Sequence, residues 1–208
     1  MQCMGMTESP GLTRAGLLRR GAVGGGALLA SASGLAAFAP AAFADGPPAG
    51  DLAYLRLLVA TELLGADFYA KAVAAHASAG RAAEELKLAR ANERSHYATL
   101  AAIVTGAGQV PATADDIDFT YPKGTFRSVG AVAKLAVTLE TLFLGACLGA
   151  VAGIQTVVLA QPLARIAANQ AQHLAVFSQL LGRSGFGAAM PAPLSIDAAT
   201  QALAAYTS

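Results

Sequence analysis

Apolar side chains recur at helical spacing in four long stretches of this chain, and residues that stop helices separate the stretches. Over residues 51–78 the stripe runs Leu55, Leu58, Val59, Ala66, Tyr69 and Val73, with Arg56 and Lys71 opposite. Asp51 is the expected N-cap, and Ser78-Ala79-Gly80 ends the pattern. So short a connection sets the second helix antiparallel to the first. That helix, over residues 81–105, has an apolar face of Leu86, Ala89, Tyr97, Leu100, Ile103 and Val104. Glu84, Glu85, Lys87, Arg90 and Arg94 cover its solvent side. Periodicity stops over residues 106–126, where Pro111, Pro122, Gly124 and the acidic run Asp115, Asp116 and Asp118 mark an irregular connection. The acidic run reads as solvated loop charge. Extended chain at about 3.3 Å per residue spans a helix of about 36 Å, so this connection returns the chain to the opposite end of the bundle.

The third helix is expected over residues 128–159. Residues 141–160 carry no charge, and Gly145, Gly149 and Gly153 recur every fourth position. Such a segment is long enough to span a membrane. A bundle helix explains more, because Glu140 adjoins the stripe of Ala136, Val137, Phe143, Leu144 and Cys147, and the glycines would admit a close neighbouring helix. Pro162 suits the first turn of a fourth helix with a stripe of Leu163, Ile166, Leu174, Phe177, Leu180 and Leu181, closed by Gly182. Ser195 caps a short last helix over residues 196–205. The expected fold is all-α: an antiparallel four-helix bundle with one long crossover between helices two and three and a short C-terminal helix.

Six polar residues interrupt these stripes. Ala91-Asn92-Glu93-Arg94-Ser95-His96 returns 77 positions later as Ala168-Asn169-Gln170-Ala171-Gln172-His173, and Glu62 and Glu140 precede Glu93 and Gln170 by 31 and 30 residues. On helices, residues at i and i+3 share a face, so each Glu/Gln-x-x-His pair can reach one ion. A lone Glu-x-x-His is a weak signal; four such positions inside apolar stripes, in two evenly spaced halves, are a strong one. Lone buried carboxylates cost several kcal/mol unless a cation or hydrogen bonds compensate. Two arrangements satisfy that requirement. Glu62, Glu93, His96, Glu140, Gln170 and His173 either ligate metal, the mixed O/N set suiting iron or manganese, or form a metal-free polar network that the Gln170 amide helps to satisfy. Tyr69 and Tyr97, near the same level, read as core aromatics ahead of redox-active phenols, and His76 as a surface residue.

The N-terminus changes the picture of where the chain works. Arg14, Arg19 and Arg20 precede an uncharged run rich in Gly and Ala that ends Ala42-Phe43-Ala44. This reads as an export signal over residues 1–44, and the Arg19-Arg20 pair favours the twin-arginine type, with that export machinery as a partner. A retained membrane anchor is the alternative. Cleavage leaves residues 45–208 as one domain. Its loss of Arg14, Arg19, Arg20 and Glu8 leaves 11 basic and 12 acidic residues and a charge of −1. No basic stripe supports a nucleic-acid partner. Cys147 is then the only cysteine, so no intrachain disulfide forms, and its neighbours suit a buried thiol.

These residues resemble the ferritin-like superfamily, and in particular the exported, twin-arginine-signalled bacterial ferritin-like domain proteins, over residues 51–206. The resemblance implies that Glu62 and Glu140 are terminal ligands of a di-iron site, Glu93 a bridge, and His96 and His173 the imidazoles. Gln170 occupies the second bridging position, where the pattern expects a carboxylate. That departure implies a weaker second metal position, a single occupied ion, or none. The function implied is an exported iron or manganese protein reacting with oxygen or peroxide. The alternative is a non-catalytic, metal-free envelope or stress-protection protein. Assembly into a homo-oligomer stays open, and nothing specifies a cage.

Overall fold

The computed structural model describes residues 47–187 and 190–207, and the expected export signal lies outside them. Five α-helices follow in order: α1 (Ala49–Ala75), α2 (Arg81–Gly106), α3 (Val129–Gly153), α4 (Ala160–Leu180) and α5 (Ile196–Leu203). Short 3-10 turns lie at Ala114–Asp116, Val157–Leu159 and Ala204–Tyr206. The fold is all-α. The helices pair as two hairpins, α1 with α2 and α3 with α4, and α1 against α3 joins the hairpins while α5 lies on α1 and α3. The long crossover runs between α2 and α3, as the loss of periodicity predicts.

The core follows the apolar stripes. Leu55, Leu58, Leu64 and Phe68 of α1, Leu86, Leu100 and Ile103 of α2, Leu139 and Phe143 of α3, and Leu163 and Phe177 of α4 are buried side by side. Helix α3 is long and apolar enough to cross a membrane, yet 61% of its most apolar 18-residue window is buried inside the bundle. Its apolarity therefore serves a core that touches three other helices, and Cys147 is buried within it.

Four expectations need correction. Asp51 is not the N-cap of α1, which begins two residues earlier after Pro48. The Asp51 carboxylate is instead buried at the far end of α3, accepting from the Gln155 and Thr156 backbone N–H groups at 2.8 and 2.9 Å. This anchor also explains why α3 stops at Gly153 rather than continuing to residue 159: the chain turns extended at Ile154, and Asp51 takes up the N–H groups of the two residues that follow. The α3 glycines do not admit a neighbouring helix along their length. Gly145 and Gly149 face the chain at Leu194, whose N–H donates to the Gly145 carbonyl at 2.8 Å, and Gly153 faces the Tyr54 ring of α1. A Cβ on Gly149 would overlap the Leu194 carbonyl. Finally, the acidic run is not only solvated charge. Asp116 closes a capping box with Thr113, accepting from its N and Oγ1 at 2.7 Å each.

The crossover is fastened in its second half, at residues 119–121. Tyr121 donates to Asp67 of α1 at 2.7 Å, and Thr120 N–H bonds the Tyr206 carbonyl beside a Phe119–Thr207 bridge. The closed bundle leaves the level of Glu62 and Glu93 wholly inside.

Candidate metal centre

Each helix of the bundle brings one part of the constellation to the same level. Glu62 comes from α1, Glu93 and His96 from α2, Glu140 from α3, and Gln170 and His173 from α4. The structure brings all six together. Glu62, Glu93, Glu140 and Gln170 are fully buried, and only the two imidazoles keep slight exposure, 12% for the His96 side chain and 8% for His173.

The donor atoms fall into two groups of three that share one residue. In each of the groups Glu62, Glu93, His96 and Glu93, Glu140, His173, one ligand atom per residue lies within 4.8 Å of the others. His96 Nδ1 is 3.1 Å from Glu62 Oε2 and 3.8 Å from Glu93 Oε2. His173 Nδ1 is 3.0 Å from Glu93 Oε1 and 3.3 Å from Glu140 Oε1. Adjacent ligands on an octahedral ion with bonds of about 2.1 Å stand about 3 Å apart, so three of these four separations match ligand edges closely. At the second group the protonated His173 ring faces Glu93 Oε1 and Glu140 Oε1 as an ion pair. Glu140 Oε2 and Gln170 Oε1 are buried without a hydrogen-bond partner. Buried polar atoms rarely remain unpaired, and these two oxygens leave a cation as a fitting partner. The residues present fit a metal ion.

Gln170 works differently from its neighbours. Its Nε2 donates to both oxygens of Glu62, at 3.2 and 3.3 Å, and to Glu93 Oε2 at 3.3 Å. The amide thus holds two carboxyl groups together from the position of the expected second bridge.

Proton placement follows from burial and crowding. Burial pushes the Glu62 carboxyl well above the usual carboxylate range, and the Glu93 charge beside it adds to the shift. Burial and Glu93 together push Glu140 up to about 7. Burial acts on Glu93 in the same direction, but hydrogen bonds with Glu62, His173 and His96 outweigh it and hold Glu93 below the usual range. Burial would lower both imidazoles, yet hydrogen bonds and charge from Glu62 and Glu93 push His96 up to about 10. Glu140 and Glu93 push His173 up to about 10 as well. Without metal, Glu93 is the anion and the protons are gathered on the groups around it, which a metal would displace.

Two residues in this shell escaped the sequence reading. Gly65, one turn after Glu62, gives Glu93 its space: a Cβ there would lie 2.9 Å from Glu93 Oε2 and 3.0 Å from its Cγ. A lone glycine inside an apolar helical stripe is the signal that marks such a close approach. Asn92 contacts His173, with Nδ2 3.0 Å from the ring Nε2; its place in the repeated hexad is the sequence clue. Of the two tyrosines at this level, Tyr69 is buried and donates a hydrogen bond to Glu140 Oε1, whereas Tyr97 turns away to the Ala112 carbonyl at 3.0 Å. His76 ends α1 outside the site, half-buried rather than on the surface.

A helical bundle that gathers carboxylates and imidazoles from all four helices defines a class, the carboxylate–histidine bundles. A family model described as a ferritin-like domain matches residues 50–183, and the chain belongs to that family. A search of curated proteins finds no match.

Proposed function

We propose that this is an exported ferritin-like protein that holds iron or manganese between its four helices and serves redox chemistry with oxygen or peroxide. The observation that carries the reading is the pair of three-residue donor groups meeting at Glu93, with Glu140 Oε2 and Gln170 Oε1 beside them buried without a partner. Glu62 and His96 would hold one ion with Glu93, and Glu140 and His173 the other. Such an ion supplies one-electron redox chemistry that no side chain in this core supplies alone. The chain's own residues set the conditions for it. Leu58, Leu139 and Phe143 form part of the wall that keeps water out, and the Tyr69 hydroxyl steadies Glu140. The pair Arg19-Arg20, the uncharged run after it and Ala42-Phe43-Ala44 support export by the twin-arginine route. That route carries folded proteins, so metal would be loaded before export.

One observation favours the rival reading, a metal-free bundle without turnover. Gln170 already ties Glu62 to Glu93 by hydrogen bonds, so part of the network closes without an ion. Purification of the chain from residue 45 followed by iron and manganese analysis, before and after reconstitution, separates the two. The metal reading expects bound metal that falls in both His96→Ala and His173→Ala, each losing one position. Wild-type protein that stays free of metal after reconstitution establishes the rival.

A further inference from the structure

One histidine of the centre, His173, is backed by a residue type that the sequence supplies twice. Asn92 immediately precedes Glu93 on α2, and its side chain meets the outer nitrogen of His173 on α4, with Nδ2 and Nε2 3.0 Å apart. The inner nitrogen of that ring, Nδ1, faces Glu93 and Glu140. Asn169 precedes Gln170 just as Asn92 precedes Glu93. A cavity of about 300 Å³ between α2 and α4 is lined by Asn92, Ser95, His96, Thr99, Arg165 and Asn169. Asn169 donates to Gln172 at 3.1 Å through Nδ2, and its Oδ1 is buried without a partner.

The chemistry of the imidazole explains why an amide belongs in this place. A ring that binds an ion through Nδ1 carries its proton on Nε2, so the group facing Nε2 must accept. Without metal, a ring protonated on both nitrogens again presents an N–H at Nε2, whereas a neutral ring with its proton on Nδ1 presents a lone pair there, and the facing group must then donate. A carboxamide does either by turning over. A carboxylate only accepts, and an aliphatic side chain does neither. We propose that Asn92 and its repeat counterpart Asn169 are positioning residues for the two imidazoles. Asn92 keeps Nδ1 of His173 aimed into the centre with or without metal, and Asn169 offers its unpartnered oxygen to His96 across the shared cavity. The inference rests on the metal reading above and assigns the outer partners that reading leaves open.

The test uses the chain from residue 45 and Co²⁺ alone as the probe, with affinity measured by chelator competition. Asn92→Leu removes both hydrogen-bonding roles, whereas Asn92→Asp keeps the accepting one needed when metal is bound. The expected result is a loss of about 10- to 100-fold in Co²⁺ affinity for Asn92→Leu, the usual effect of removing an outer partner of a ligating histidine, and recovery to within about threefold in Asn92→Asp. Asn169→Leu is expected to weaken binding in the same range. If Asn92→Leu does not fold, as judged by helicity and melting, Asn92→Ser takes its place, since its shorter side chain does not reach His173. Wild-type affinity in Asn92→Leu overturns the proposal, and so does equal weakening by Asp and Leu. A second arm needs no metal: the ¹⁵N shift of His173 Nε2 is expected to move in Asn92→Leu while that of His96 stays. An unmoved His173 signal overturns the role of Asn92. If wild-type protein binds no Co²⁺, the metal reading fails, and this arm still decides whether Asn92 orients the ring.

Discussion

Replacing Gln170 with glutamate tests the centre from the side where it departs from the ferritin-like pattern. In the metal-free protein Gln170 Nε2 donates to Glu62 and Glu93 at 3.2–3.3 Å inside a fully buried core. Hydrogen bonds to charged groups contribute about 1.5–3 kcal/mol each. The substitution removes donors to two carboxyl groups and puts a third carboxyl against them, a change comparable to breaking a buried pair at about 3–5 kcal/mol. A proton taken up by the cluster returns part of that. A net loss of about 3–4 kcal/mol lowers the melting temperature of a chain this size by roughly 6–16 °C. With iron or manganese the sign reverses, because the new carboxylate faces cations. Affinity should rise at least about tenfold, which is about 1.4 kcal/mol. The assay is a pair of thermal melts, metal-free and metal-loaded, together with the metal-to-protein ratio. The variant should melt lower than wild type without metal and show the larger rise on loading. A metal-free melting point within 1–2 °C of wild type (about 0.5 kcal/mol) and an unchanged metal ratio would refute the convergence of α1, α2 and α4 at this residue.

Other consequences are as direct. Gly65→Ala should weaken metal binding and destabilise the metal-free fold by about 1–3 kcal/mol, because its Cβ meets Glu93 at 2.9–3.1 Å; chemical denaturation with a metal titration checks it. Elsewhere in an exposed helix the same exchange stabilises by up to about 1 kcal/mol, so the opposite sign is diagnostic. Gly149→Ala should release the Leu194 segment from α3, read as lost amide-exchange protection at Leu194, whose N–H bonds the Gly145 carbonyl, with metal affinity unchanged. The metal-free protein should lose stability as pH rises from 4.5 to about 7. Glu140 has a folded value raised from 4.5 to about 7, so its contribution is complete below 4.5 and gone above 7, and Glu62 shifts in the same direction. The raised imidazoles extend the decline from about 6.5 to about 10, while lowered Glu93 makes stability fall again with acid below 4.5. Urea midpoints across pH 4–9 should show this slope without metal and a flatter one with it, because metal binding displaces the same protons.

Much of the bundle was legible because its interior is one-sided. Leu55, Leu58 and Tyr69, or Leu163, Ile166 and Phe177, recur at the helical period and are buried together. The six site residues were legible for the same reason in reverse: a Glu or His inside such a stripe has nowhere to go but the core. Residues whose partners lie far along the chain were misread. Asp51 looks like a cap for its own helix, yet it bonds Gln155 and Thr156, more than a hundred residues away. Gly145 and Gly149 announce a close approach, but periodicity does not say that the approaching chain is the irregular segment at Leu194. Gly65 was missed because its role is space for Glu93, and space carries no side chain to read. The end of α3 was placed too late because residues 154–159 stay apolar after the helix stops at Gly153, and apolarity alone does not mark a change of backbone direction.

Glu93 is common to both donor groups, so one titration bears most directly on the whole account. Metal-free protein from residue 45 is titrated anaerobically with Fe²⁺ and separately with Mn²⁺ by calorimetry, alongside Glu93→Ala confirmed as helical. The account predicts saturable binding in the wild type and none in Glu93→Ala, since that change opens both positions at once. Wild-type binding that survives in Glu93→Ala, or no wild-type binding of either ion, would contradict it.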